Sequence, residues 1–358
     1  MKKLIIILPI IILLIIIFLL KSSIKEDKLK NLNFSKEALL KMEEKKIKDK
    51  VKKYSKTLET ALLSDNYIES NFNSYMEIEY KDRTNFIENI NKLLNLGYRP
   101  IDIDAIYNYL NDNDIEILNN YIENIKDYIE VGCFKIDNII RYKNYKDNNN
   151  KTYEEVIVLV NIGLDNPFYT NVKEVINPND ILVLVNKYHH LSESFIPNNL
   201  VSIDPSCAIG EKLLVKEAKD KFMELCNDSS VLGLNIKVSS AYRDYNYQKK
   251  LYNNYLEKDI NADNYSAKEG YSEHQTGLAL DIQGANGDYL KFIDTKEYKW
   301  VHDNAHKYGF IIRYTKENKW ITGYMEEPWH LRYVGIDVAS YIFQHNISFD
   351  EYYIKFID

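Results

Sequence analysis

The chain has 358 residues, 45% of them apolar, enough to bury a catalytic-sized core beside one or two smaller parts. Its 46 Lys and Arg against 53 Asp and Glu leave a formal charge of -7, which argues against the basic surface stripe of a nucleic-acid binder. Three cysteines without metal-type spacing make zinc held by thiolates improbable and allow at most one bridge, between Cys207 and Cys226.

Residues 4–20 are apolar and interrupted only by Pro9. At ~1.5 Å per residue they span roughly 26 Å, the short end of a membrane crossing. No A-x-A cleavage site or lipobox cysteine follows, so residues 1–23 read as an uncleaved signal-anchor. Lys2 and Lys3 make a short positive tail that stays inside and puts the bulk of the chain outside, although Lys21, Lys25, Lys28 and Lys30 blur the charge count. Residues 24–83, rich in Lys and Glu with a thin stripe of Ala38, Leu39, Met42, Ile47 and Val51, read as a solvated helical stalk or spacer. An S-x-x-K match at 22–25 and S-D-N at 64–66 are chance, because no K-T-G exists in the chain.

Residues 84–150 read as a small helical region and linker, with breaks at LGYRP (96–100) and NDND (111–114) and a shared apolar face from Ile106, Tyr109, Leu110, Ile115 and Leu118. No repeat of 20–50 residues is apparent, which removes a solenoid. Residues 151–358 form the last domain. It begins with VIVLVNIGL (156–164), an apolar, β-branched run expected to be a buried strand, and ILVLVNKYHHL (181–191), a second extended segment. Adjacent His189 and His190 point to opposite faces of such a segment and do not share a metal. An amphipathic helix at 211–228 with Leu214, Ala218, Phe222, Leu225 and Cys226 inward precedes a strand at 234–240. That strand delivers Ser239, Ser240 and Arg243 to a helix carrying Gln248, Leu251, Tyr252 and Tyr255. Arg243 at a strand exit is either a surface ion pair or a partner for a substrate carboxylate or oxyanion, and spacing does not choose.

Two stretches carry chemistry. SEHQTGLALD (272–281) places His274 seven residues before Asp281, and EPWHLRY (327–333) places Glu327 three before His330. Two imidazoles and a carboxylate make a three-ligand zinc set with a fourth position open for water, and the spare Glu327 suits the general base of a metallohydrolase. Alternation makes strands of LALDI (278–282) and of the stretch after Pro328, with Glu327 just ahead of the strand, at a bend. His302 and His306, four apart on a helix over 295–308, lack the Glu of H-E-x-x-H and read as surface residues or outer support of the site.

SAYRDYNYQ (240–248), SEHQTGLALD (272–281), YGFIIRY (308–314) and EPWHLRYVG (327–335) together resemble, in order, the motifs of the VanY-type D-alanyl-D-alanine carboxypeptidases, zinc peptidases of the LAS type. The resemblance covers roughly residues 181–347. It implies one Zn2+ per chain held by His274, Asp281 and His330, with Glu327 as general base. It further implies that Arg243 polarises the scissile carbonyl and that Ser272 and Gln248 lie near the substrate. Ala241 departs from a commoner glycine with no expected loss of chemistry, and Glu326 does not fit the motif spacing. The implied activity is removal of the terminal D-alanine from peptidoglycan pentapeptide stems or lipid-linked precursors by a membrane-anchored enzyme. Its rivals are a stem endopeptidase, a D-Ala-D-Ala dipeptidase, and, from another class, a non-catalytic wall-binding module. The expected fold is α+β. A mostly antiparallel sheet of strands near Val238, Asp281, Ile311 and His330 is flanked by helices and crossed by a zinc cleft, after the anchor, stalk and small helical region.

Overall fold

The computed structural model describes residues 32–358 other than 116, 117, 119 and 120. The anchor expected over residues 1–23 therefore lies outside the described residues, and among those described no helix is long and apolar enough to cross a membrane. The chain divides into two compact units, Met1–Ile139 and Ile140–Asp358.

In the first unit the expected stalk is a set of short helices that pack on one another. Ser35 caps Lys36–Glu44 and Ser55 caps Lys56–Leu63, each side chain accepting a backbone N–H of the first turn. Lys46, at φ 56°, turns the chain between them. The thin stripe thus finds partners in the next helices, and Ala38, Met42, Ile47 and Leu58 are all buried. The Glu59 carboxylate accepts from the Ser35 N–H at 2.9 Å and ties the two helix starts together. Further along, helices Phe86–Leu96 and Pro100–Tyr109 are separated where the sequence indicates, with Gly97 at φ +99° ending the first and Pro100 opening the second. Ile106, Leu110, Ile115 and Leu118 are buried as expected, whereas Tyr109 is 63% exposed.

The second unit corrects one assignment at its start. VIVLVNIGL is not a strand but most of helix α1, Tyr153–Ile162. Thr152 and Glu155 form a capping box and Gly163, left-handed at φ +110°, closes the C-terminus. Val156, Ile157, Val158, Leu159, Val160 and Ile162 are all buried, and the exposed glutamates stand only in the first turn, so the period of the apolar run is invisible in the sequence. Residues Leu200–Ser202 and Leu213–Val215 make a short antiparallel pair leading into α2, Lys216–Val231. Then come β1 (Lys237–Ser240), α3 (Tyr245–Leu256), β2 (Ala279–Gln283), α4 (Lys296–Asn304), β3 (Phe310–Tyr314), β4 (Glu327–Tyr333), α5 (Ile336–His345) and α6 (Phe349–Phe356).

The four strands form one sheet, antiparallel throughout, in the order β1-β2-β4-β3. These are the four strands expected, with helices around them. Val238, Leu280, Ile282, Phe310, Leu331 and Tyr333 pack with Ala218, Phe222 and Leu225 of α2 in one core. Because side chains alternate along a strand, Asp281, His330 and Arg332 are set on the opposite face. The hydrophobic face thereby fixes the register of the chemical one: a slip of one residue would send the ligands into the core.

A disulfide joins Cys207, ahead of β1, to Cys226 on α2, across 19 residues. Loop-closure entropy assigns such a bridge about 3 kcal/mol. Chemical denaturation with and without reductant should show a loss of that order, and an unchanged midpoint would mean the bridge adds nothing.

Candidate metal centre and catalytic cleft

The β2/β4 register pairs Asp281 directly with His330. His274 reaches them from the 3-10 turn Glu273–Thr276, whose start is capped by the Ser272 hydroxyl accepting the His274 N–H. Gly277, at φ +67°, then swings the chain into β2, and a Cβ there would lie 2.9 Å from Leu200 Cδ2. Only glycine supplies both the conformation and the space.

Each imidazole is held by one nitrogen and turns the other toward Asp281. His274 Nδ1–H donates to the Ala241 carbonyl at 2.7 Å, which turns Nε2 toward Asp281 Oδ2 at 3.3 Å. His330 Nε2–H donates to Glu273 Oε2 at 3.2 Å, which turns Nδ1 toward Asp281 Oδ1, also at 3.2 Å. The donors of His274, Asp281 and His330 all lie within 4.8 Å of one another. Tetrahedral zinc with bonds of about 2.0–2.1 Å needs donors roughly 3.3 Å apart, so the three residues fit that ion and leave one position open. The expected ligand set is thus brought together. Since the Ala241 contribution is its backbone carbonyl, a methyl in place of hydrogen costs the site nothing, and that methyl is itself buried.

The charges of the three residues are shifted in opposite directions. Burial and the nearby Arg243 guanidinium lower His274 to about 4. Burial also acts against charge on His330, yet its bonds to Asp281 and Glu273 raise it to about 9. Asp281 stays far below the usual carboxylate range because both imidazoles face it, against the opposing effect of burial. A metal must therefore displace the His330 proton below pH 9 and none from His274 above pH 4, and it also disfavours the proton that burial keeps on Glu327. Apparent zinc affinity should rise at least about tenfold per pH unit from roughly pH 6 to 8 and level off near 9. Competition against a chromophoric chelator reads this directly, and a flat profile would contradict it.

Glu327 is the first residue of β4, paired with Tyr314, rather than a residue ahead of the strand. A register irregularity on the facing strand, between Ile312 and Tyr314, accompanies its position. Glu327 Oε2 lies 3.9 Å from His330 Nδ1, near the three donors but outside their set. Burial pushes its carboxyl up to about 8, with His330 and Arg243 pulling the other way. Arg243 is not a surface ion pair. Its Nη1 contacts Ser240 Oγ at 2.7 Å and Asp281 Oδ2 at 3.3 Å, and its Nε donates to Gln248 Oε1 at 3.0 Å. Gln248 is buried and its Nε2 donates to the Ala267 carbonyl, so its amide aims the guanidinium. These residues and Ser272 line one cleft of about 710 Å³, with Tyr247, Tyr255, Tyr289 and Trp329 among its walls.

His189, His190, His302 and His306 stand apart from this cleft. His190 packs against Tyr271, while His302, His306 and Glu326 line a separate cavity. Glu273 has no signal in the sequence beyond adjacency to His274. It is nonetheless fully buried against His330, and its other oxygen accepts from Arg313 and Arg332.

Residues 211–336 match the family model described as VanY, D-alanyl-D-alanine carboxypeptidase. YodJ of Bacillus subtilis (strain 168) is 39% identical over 208 residues, 54% of this chain and 76% of that protein. Among solved structures, the LdcB LD-carboxypeptidase is 39% identical, with a TM-score of 0.49 over 52% of this chain and 91% of that one. A mutant of the vancomycin-resistance D,D-pentapeptidase VanY in complex with Zn(II) is 28% identical, with a TM-score of 0.42 over 48% and 97%. On its motifs, its family match and its extent of likeness to YodJ, the chain belongs to the VanY family of D-alanyl-D-alanine carboxypeptidases.

Proposed function

We propose that this protein is a zinc D,D-carboxypeptidase that removes the terminal D-alanine from pentapeptide stems of peptidoglycan or its lipid-linked precursors. The observation that carries this reading is the convergence of three donors, from His274, Asp281 and His330, with Glu327 and Arg243 beside them in one cleft. Zinc held by the three would supply Lewis acidity, polarising a carbonyl and acidifying a water toward neutral pH. Glu327 takes a proton from the attacking water and passes it to the nitrogen of the departing D-alanine. Arg243, braced by Gln248 and Ser240, presents its guanidinium to the carbonyl oxygen as negative charge develops there. Ser272 lies at the cleft wall, beside the substrate end.

The apolar run at 4–20 supports an anchor that holds the second unit on the outer side of the membrane, and the Cys207–Cys226 bridge suits an oxidising compartment. Fractionation should find the full chain with the membrane and a chain lacking residues 1–23 in the soluble fraction; equal solubility of the two would remove the anchor.

The activity is tested by incubating the zinc-loaded protein separately with a stem pentapeptide, a stem tetrapeptide and free D-Ala-D-Ala, and weighing the products. Loss of one alanine from the pentapeptide, stopped by a chelator, is the expected result. Exclusive trimming of the tetrapeptide, a cut inside the stem or cleavage of the free dipeptide would each replace the assignment with an L,D-carboxypeptidase, endopeptidase or dipeptidase. No cut and no retained zinc would leave a wall-binding module.

A further inference from the structure

We propose that Glu273, which stands at the cleft end of a buried four-charge cluster, is a positioning residue that fixes which nitrogen of His330 faces the metal. This rests on the metal-site reading above and extends it to residues outside the ligand set. Glu273 divides its two oxygens between two tasks. Oε2 accepts from His330 Nε2–H at 3.2 Å. Oε1 accepts from Arg313 Nε at 2.8 Å and from Arg332 Nη1 at 3.1 Å. Arg313 continues through Nη1 to Asp350 Oδ2 at 2.7 Å, and Asp350 Oδ1 accepts from Asn186. Arg332 is pinned by the carbonyls of Ile181 and Val183.

The side chains of Glu273, Arg313, Arg332 and Asp350 are all 1% exposed or less. Burying four charges is costly, and apolar residues of the same volume would commonly serve stability as well or better. The cluster is balanced, two guanidinium groups against two carboxylates, and it reaches the cleft through the Glu273–His330 bond. A carboxylate accepts only, so Glu273 keeps a proton on Nε2, and the proton that a metal displaces is the one on Nδ1, the atom facing Asp281. Tyr314 closes the other side of the ring, at 4.9 Å between centroids.

Glu273→Gln tests this with little change of shape. The glutamine oxygen must serve the two arginines, which leaves its NH2 to donate to His330 Nε2. That drives the ring proton to Nδ1 and blocks the ligand atom. Zinc affinity, measured by chelator competition, should fall about 10- to 100-fold. Asp350→Asn, at the far end of the cluster, should lower the thermal midpoint while zinc affinity stays at the wild-type value. In zinc-loaded wild type, nitrogen-15 histidine NMR should place the His330 proton on Nε2. Wild-type zinc affinity in folded Glu273→Gln, an equal loss in Asp350→Asn, or a wild-type His330 metallated through Nε2 would each overturn the positioning role. The NMR result stands even if the glutamine variant does not fold. Wild type that binds no zinc would instead remove the metal-site reading on which the role depends.

Discussion

Glu327→Gln should lower turnover on the pentapeptide by about 10²- to 10⁴-fold and leave the zinc in place. The separation of the two effects follows from position. Glu327 stands 3.9 Å from the His330 ligand atom but outside the converging donors, so its amide removes proton transfer without removing a ligand. The desolvation that raises its carboxyl to about 8 is opposed by any cation nearby, which brings the group into a range where it both accepts and returns a proton at neutral pH. The acidic limb of the kcat/KM profile should disappear with the carboxylate. Turnover within tenfold of wild type, with metal bound, would exclude Glu327 as the base.

His274→Ala should lose both metal and turnover. The side chain supplies one of three donors, and its free nitrogen faces Asp281 at 3.3 Å, so its removal leaves two ligands and an unfilled corner. Zinc affinity should fall by more than the about 10- to 100-fold that outer partners control. His274→Ala and Glu327→Gln thus form a pair: one without metal, the other with metal but without proton transfer. Elemental analysis of the two purified variants distinguishes them, and a His274→Ala protein that keeps stoichiometric zinc would move the ion to other residues.

The parts of the site that were legible in the sequence are those written locally. His274, Asp281 and His330 sit on short motifs whose strand alternation already separates ligands from core, and Leu280 and Leu331 point the other way for the same reason. Arg243 was ambiguous until its partners were in view, because Ser240, Gln248 and Asp281 are brought to it by β1, α3 and β2. Glu273 was not legible: its meaning depends on Arg313, Arg332 and Asp350, far along the chain on β3, β4 and α6. The misread elements fail for a related reason. In helix α1 residues 156–160 are buried all the way round, so nothing in that run marks the 3.6-residue period, and the Thr152 and Gly163 caps announce it. The short helices after Phe34 looked solvated because their stripe is narrow, and Lys46 and the caps at Ser35 and Ser55 let that stripe fold onto itself.

The central claim is that one zinc ion, at His274, Asp281 and His330, turns this cleft into a carboxypeptidase. It is tested most directly by stripping the protein with a chelator, adding zinc back in steps, and measuring D-alanine released from the pentapeptide at each step. Release that is absent in the stripped protein, rises in proportion to added zinc and stops rising at one ion per chain is the predicted result. Full release from the stripped protein, or a rise that continues to a second ion per chain, would contradict it.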